Sequence, residues 1–263
     1  MLKSKFKAVI TDYTPPRSFK CEKEILGKIG AKVEVHLCKS EDEVIKVGQD
    51  ADSLLMMYMP TTRRILESLK CLKVVGRYGI GVNSVDLKAA TENGVIVVNV
   101  PDYCIEEVSD HAVALILNSA RNIIYFANEV RQKRWLDPAN SDIKKIQEYV
   151  LGLYGFGNIS RAVSRKMKGF KMRIITFDPF INPLIADELG VELVDFNTLL
   201  KESDLLSIHC PLNNKTKKSI SNNEFNIMKR NARIINTSRG SVIDQNALYL
   251  ALKQKKIAGA YLD

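Results

Sequence analysis

No stretch of the 263 residues approaches the roughly 18 consecutive apolar positions of a membrane span. Met1-Leu2-Lys3-Ser4-Lys5 runs straight into a short strand pattern, where a signal peptide would need an apolar core. The chain therefore reads as cytoplasmic, with no membrane partner. Its five cysteines (Cys21, Cys38, Cys71, Cys104, Cys210) are odd in number, far apart and form no Cys-x-x-Cys pair. That pattern argues against both a disulfide framework and a zinc site, and no metal is assigned. Short repeats and low-complexity tracts are also lacking.

What is present is an excess of 39 Lys+Arg over 30 Asp+Glu, a formal charge of +9. Such an excess attracts nucleic acid or anionic metabolites when it is clustered. Here the charges are scattered and no basic run interleaves with aromatics, so the reading is a solvated Lys-rich surface without a nucleic-acid partner.

Short β-rich apolar runs alternate with helical patterns from end to end. In the first hundred residues the runs are Ala8-Val9-Ile10, Val33-Glu34-Val35, Ser53–Met57, Leu72–Val75 and Val95–Val98. Ser40-x-x-Glu43 reads as a capping box, and Gly30 and Gly94 as helix stops before the next strand. The next apolar stretch, roughly Glu106 to Arg121, is long enough for one buried helix, and Pro101 just before it marks a domain boundary. A polar segment around Trp135 to Lys145 leads into a second series, with strands near Tyr149–Tyr154, Met172–Phe177, Asp204–His209, Arg233–Asn236 and Ile257–Leu262. Repeated βαβ order predicts an α/β protein of two doubly wound parallel-sheet domains, 1–101 and 102–263.

The most specific local motif is Gly152-Leu153-Tyr154-Gly155-Phe156-Gly157-Asn158-Ile159-Ser160, which follows a strand and opens a helix. Gly155 permits a tight turn, Gly157 lets the backbone approach a pyrophosphate, and the helix N-terminus at Asn158 and Ile159 stabilises its charge. Ser160 stands where a third glycine serves close helix–strand packing. The glycines alone would also suit an ordinary turn. Asp178, however, ends the next strand about 20 residues on, where a carboxylate binds ribose hydroxyls and repels a 2′-phosphate. The cofactor read from this pair of features is NAD.

Asn236-Thr237-Ser238-Arg239-Gly240-Ser241-Val242-Ile243-Asp244 closely resembles the arginine-bearing motif of D-isomer-specific 2-hydroxyacid dehydrogenases. Ser203–Leu212, Met228-Lys229, Ala247-Leu248 and Ile257–Ala260 keep the family's order around it. Arg77–Asp86 is similar to the family's substrate loop and Asn99–Cys104 to its crossing strand, most like the phosphoglycerate dehydrogenase and C-terminal-binding-protein branch, although Asn83 stands where Asp is usual. The resemblance implies a flavodoxin-like substrate domain followed by a Rossmann NAD-binding domain.

By that likeness Arg239 is the catalytic arginine, pairing with the substrate carboxylate through its planar donor fork. Backbone amides around Gly79, Ile80 and Gly81 hold the same carboxylate, and Arg77 adds charge or is simply a surface residue. Ile80 and Val108 line the nicotinamide. Phe156, Thr237 and Ser238 join the cofactor contacts, His209, Cys210 and Pro211 pass along its phosphate and ribose, and Asp263 resembles the contact to the carboxamide. His209 precedes Arg239, whereas the family's acid–base histidine follows it; His111 and His36 sit at ordinary structural positions. The family's glutamate and histidine fall beyond Asp263.

A chain stopping in a strand without cap or polar tail reads as a fragment of a longer protein. If it is whole, little turnover and poor stability are expected, because the last strand would not pack. Two functions follow from the resemblance: an oxidoreductase moving hydride between NAD(H) and a small 2-keto or D-2-hydroxy acid, or a non-catalytic NAD(H)-sensing binding module. A homodimer is implied by the family alone.

Overall fold

The computed structural model describes residues 6–137 and 143–263, so the first five residues and the middle of the polar segment around Trp135 to Lys145 lie outside the described residues. Two units divide between Tyr103 and Cys104.

The first unit runs β1 (Phe6–Ile10), α1 (Lys20–Gly27), β2 (Ala31–Val35), α2 (Glu41–Gly48), β3 (Ser53–Met56), α3 (Arg63–Ser68), β4 (Val74–Arg77), α4 (Leu87–Glu92), β5 (Ile96–Val98). All strands are parallel, in the order β2-β1-β3-β4-β5. Strand side chains alternate between faces. Leu54, Met56 and Val75 therefore share a core with Val44 of α2, Ile65 and Leu66 of α3, and Ala89 and Ala90 of α4, with Val97 packed against it. On the opposite face of β5, Ile96 and Val98 are exposed. β4 begins two residues later than the apolar run suggests, because Leu72 is spent closing a turn onto the Leu69 carbonyl at 3.1 Å. The box at Ser40 is half formed. Ser40 Oγ accepts the Glu43 N–H at 3.3 Å, but the Glu43 carboxylate takes the Lys39 N–H at 2.7 Å instead of that of Ser40.

The second unit opens on α5 (Ile105–Arg121) and α6 (Ile123–Arg131). It continues β6 (Val150–Tyr154), α7 (Asn158–Met167), β7 (Arg173–Phe177), α8 (Pro183–Glu188), β8 (Glu192–Leu193), α9 (Phe196–Glu202), β9 (Leu205–Ile208), α10 (Asn222–Ile227), β10 (Arg233–Asn236), α11 (Gln245–Lys253) and β11 (Gly259–Leu262). The parallel order is β11-β10-β9-β6-β7-β8. The chain steps outward from β6 through β7 to β8, then returns to the other side of β6 at β9. The connections after β6 and β9 thus diverge, which leaves a crevice at the carboxyl ends of these two strands. Both strands are clad on both faces, as parallel sheets require: Leu151, Leu153 and Leu205 pack with Ile116 of α5 and Val163 and Met167 of α7, while Leu206 and Ile208 pack with Phe225 and Leu248 opposite. β11 is paired to β10 along its length, Arg233 to Gly259 through Asn236 to Leu262, so the expectation that the last strand would not pack is corrected.

Candidate cofactor and substrate site

Gly155 sits in the crevice between β6 and β9 at φ +90°, a left-handed value that favours glycine. Its N–H donates to the Phe177 carbonyl at 2.9 Å, tying the turn to the end of β7. A Cβ there would lie 2.8 Å from both N and Cα of Cys210, so glycine is required by space as well as by conformation. Gly157 is the opposite case. Its φ of −77° is ordinary, and nothing lies within 4 Å of where its Cβ would be. This opening faces the start of α7, which no side chain caps. Unspent N–H groups, the helix dipole and open space together form an anion cradle suited to a pyrophosphate. Ser160 is fully buried one turn into α7, with no hydrogen-bond partner for its hydroxyl, so it meets the packing need of a third glycine at the cost of an unsatisfied polar atom.

Asp178 follows β7 directly. One carboxylate oxygen accepts the Phe156 N–H at 2.8 Å and the other the Phe180 N–H at 2.9 Å, so the carboxylate is fixed at the rim of the crevice. Beside it opens a cavity of about 630 Å³. Its walls include Tyr154, Phe177 and Phe196, whose rings lie 5.1 to 6.2 Å apart. An aromatic-walled cavity next to a held carboxylate fits an adenosine, base against rings and ribose hydroxyls on Asp178. These rings were not singled out from the sequence. The available signal was an aromatic at the last position of each of β6 and β7, but only the sheet order makes them neighbours.

His209 follows β9. Its N–H donates to the Tyr154 carbonyl at 2.8 Å, and its Nε2 lies 2.9 Å from Ser207 Oγ. Burial pushes the imidazole down to about 4, so it is neutral at pH 7 and no source of an acidic proton. Cys210 is buried beside Gly155, and burial pushes its thiol up to about 12, which makes it unreactive. Pro211 lines the cavity.

Arg239 lies three residues past β10, in a turn built by buried Asn236. The Asn236 side-chain oxygen accepts the Ser238 N–H and hydroxyl at 2.9 Å each, and its amide donates to the Arg239 carbonyl at 3.0 Å. Sequence reading placed Asn236 in the motif but not in this role. Arg239 is half-buried and donates to the Ser238 carbonyl at 2.8 Å. The buried Thr237 hydroxyl has no partner. Asp263 continues from β11, its N–H on the Asn236 carbonyl at 3.0 Å. Val108 is half-buried in the first turns of α5.

In the first unit Arg77 ends β4 and its guanidinium folds over Gly79: a Cβ on Gly79 would lie 1.7 Å from Arg77 Nη1, and φ there is +144°. The Arg77 Nε is buried without a partner. The Gly79 N–H is spent on the Arg77 carbonyl at 2.9 Å, so Gly79 contributes shape. Ile80 and Gly81 follow it, half-buried, with the Ile80 carbonyl held by the Asn99 side chain at 2.7 Å. The structure thus gathers Gly155, Phe156, Gly157, Asp178 and Cys210 at one crevice of the second unit. Arg77, Gly79, Ile80 and Gly81 form a separate loop of the first.

Residues 113–263 match the family model described as D-isomer specific 2-hydroxyacid dehydrogenase, NAD binding domain. A D-3-phosphoglycerate dehydrogenase of Methanocaldococcus jannaschii is 40% identical over 91% of the chain, which covers 46% of that relative. A glyoxylate reductase of Korarchaeum cryptofilum is 37% identical over 90% of the chain and 74% of its own length. Among solved structures, a D-lactate dehydrogenase from Aquifex aeolicus complexed with NAD and lactic acid aligns with TM-score 0.86 at 25% identity, over 97% of this chain and 76% of that one. The chain spans about half the length of the D-3-phosphoglycerate dehydrogenases it matches.

Proposed function

The chain belongs to the D-isomer specific 2-hydroxyacid dehydrogenase family, with an NAD-binding domain over residues 113–263, and from that premise we propose an NAD-dependent oxidoreductase acting on a small 2-keto or D-2-hydroxy acid. The observation that carries this reading is the crevice where the open cradle at Gly157 and the carboxylate of Asp178 stand side by side.

Bound NAD(H) supplies or accepts the hydride. The chain's own residues bind and orient. Gly155, Gly157 and the start of α7 hold a pyrophosphate, Asp178 accepts from ribose hydroxyls, and the rings of Tyr154, Phe177 and Phe196 exclude water from the base. Ile80, Val108, Thr237, Ser238 and Asp263 are assigned to the nicotinamide end, and His209 to Pro211 to the stretch between. In the second unit Arg239 is assigned to the substrate carboxylate; in the first, the Ile80 and Gly81 amides and Arg77 form a loop suited to a carboxylate. Neutral His209 does not protonate the substrate oxygen; the resemblance places the acid–base glutamate and histidine beyond Asp263. The first unit is assigned as the substrate domain, and the whole as cytoplasmic and homodimeric. Exposed Ile123, Ile124, Tyr125 and Val130 on α6 support an association surface. Among the described residues, no helix is long and apolar enough to cross a membrane.

The test is NADH fluorescence quenching together with NADH-dependent reduction of hydroxypyruvate, glyoxylate and pyruvate. For Arg239→Ala, a loss in kcat/KM of two or more orders of magnitude is expected, about 3 kcal/mol of transition-state stabilisation, with NADH affinity nearly kept. An unchanged kcat/KM contradicts the carboxylate role. Binding of NADH without turnover of any keto acid favours a sensing module.

A further inference from the structure

The loop Gly79–Gly81 carries two glycines, and a loop that flexible holds a ligand well only if its backbone is ordered beforehand. Its anchor stands one residue upstream. The Tyr78 ring lies under the Arg17 guanidinium, 4.3 Å from its carbon to the ring centroid, and the Tyr78 hydroxyl is 3.1 Å from Glu22 Oε1. Arg17 is itself paired with the same Glu22 oxygen at 3.5 Å and lies 5.4 Å from the Phe19 centroid. Phe19 is buried and sits edge-on to Tyr13 at 5.0 Å. Arg17 from the segment leading into α1 and Glu22 from the first turn of α1 thus close on the Tyr78 side chain, with buried Phe19 backing the Arg17 guanidinium. Burial and the Glu22 carboxylate raise the phenol further, so it stays a donor.

We infer that Tyr78, stacked on Arg17 and tethered to Glu22, is a positioning residue that fixes the Ile80 and Gly81 amides for a carboxylate. This rests on the reading that the loop binds the carboxylate of a 2-keto acid. The ring occupies the position between Arg77, whose carbonyl receives the Gly79 N–H, and Gly79, whose carbonyl receives the Val100 N–H at 3.1 Å. Releasing the ring would free a side chain that ties this turn to Arg17 in the β1–α1 connection and to Glu22 of α1.

The test uses the full chain, with hydrogen exchange of the Ile80 and Gly81 amides, oxalate affinity by calorimetry and NADH affinity by fluorescence. Tyr78→Leu is expected to speed exchange about tenfold and weaken oxalate five- to tenfold, with NADH affinity within twofold of wild type. Tyr78→Phe keeps the stack and should restore oxalate affinity to within twofold. Should Tyr78→Leu fold poorly, Arg17→Gln loosens the ring from outside the loop and should shift exchange and oxalate affinity threefold or more in the same direction. Unchanged exchange in Tyr78→Leu or Arg17→Gln with oxalate still bound overturns the positioning role and leaves the carboxylate reading intact. Faster exchange in a protein whose wild type binds no oxalate upholds the ordering role and overturns the carboxylate reading.

Discussion

Two glycines separated by one residue make opposite demands. Gly155→Ala introduces a Cβ 2.8 Å from the Cys210 backbone at φ +90°. It should cost at least about 1–3 kcal/mol of stability and abolish NADH binding. Gly157→Ala meets nothing within 4 Å. Its thermal midpoint should stay within a degree or two of wild type while NADH affinity falls tenfold or more, because the new methyl occupies the cradle. Thermal melts beside NADH titrations separate the cases, and equal behaviour of the two variants contradicts the cradle.

His209 offers a test in pH. Its folded value near 4 lies below the ordinary 6.5, so the unfolded chain binds the proton more readily. The stability linked to this ring is complete above pH 6.5 and is lost as pH falls from there towards 4, with about 2 kcal/mol gone by pH 5. Replacing the ring with His209→Gln should flatten the fall in thermal midpoint between pH 7 and 5, and an unaltered slope would sink the assignment. At this scale the motif glycines and Arg239 could be singled out because each lies in a contiguous pattern, and Asp178 because it directly follows the strand after the glycine turn. Asn236 as a turn builder could not, since its role is made of hydrogen bonds.

Among the elements, the end of β3 depends on a residue of another strand's tail. Buried Asp12, two residues past β1, accepts the N–H groups of Met57, Tyr58 and Met59 at 3.0, 2.5 and 3.0 Å and the Thr11 hydroxyl at 3.0 Å. Asp12→Ala leaves those donors without an acceptor and should cost about 2–3 kcal/mol by denaturant titration. Asp12→Asn should fall between, keeping one acceptor oxygen. A loss below about half a kcal/mol would show that water replaces the carboxylate. Strand runs rich in Val, Ile and Leu were readable to within two residues at most ends. β8 was not, because Glu192-Leu193 is too short to show alternation. α6 was hidden because it follows α5 after the single left-handed residue Asn122, so one apolar pattern runs into the next.

For the whole molecule, the residues assigned to the pyrophosphate and adenosine all lie after Tyr103, in the second unit. NADH at a hundredfold excess over its dissociation constant should stabilise that unit by about 2.7 kcal/mol through mass action. Calorimetry of the full chain is expected to show the transition of the second unit rising, and limited proteolysis should show protection concentrated after residue 104. Equal protection on both sides contradicts a pyrophosphate and adenosine site confined to that unit. That both sheets are parallel followed from the repeated βαβ pattern. The aromatic cavity did not, because Phe196 of α9 meets Tyr154 and Phe177 only where the chain crosses back from β8 to β9 on the other side of β6.

That reversal separates two kinds of heritable change. The ladder from β6 to β7 ends at Tyr154 opposite Phe177, and that from β6 to β9 ends at Tyr154 opposite Ile208. Asp178, the carboxylate proposed for the ribose, is the very next residue after one ladder, and the stretch His209 to Pro211 begins immediately after the other. On the proposed assignment, nucleotide preference is written in residues outside the registered strand pairs, so a lineage could exchange one dinucleotide for another without disturbing the register of a single strand.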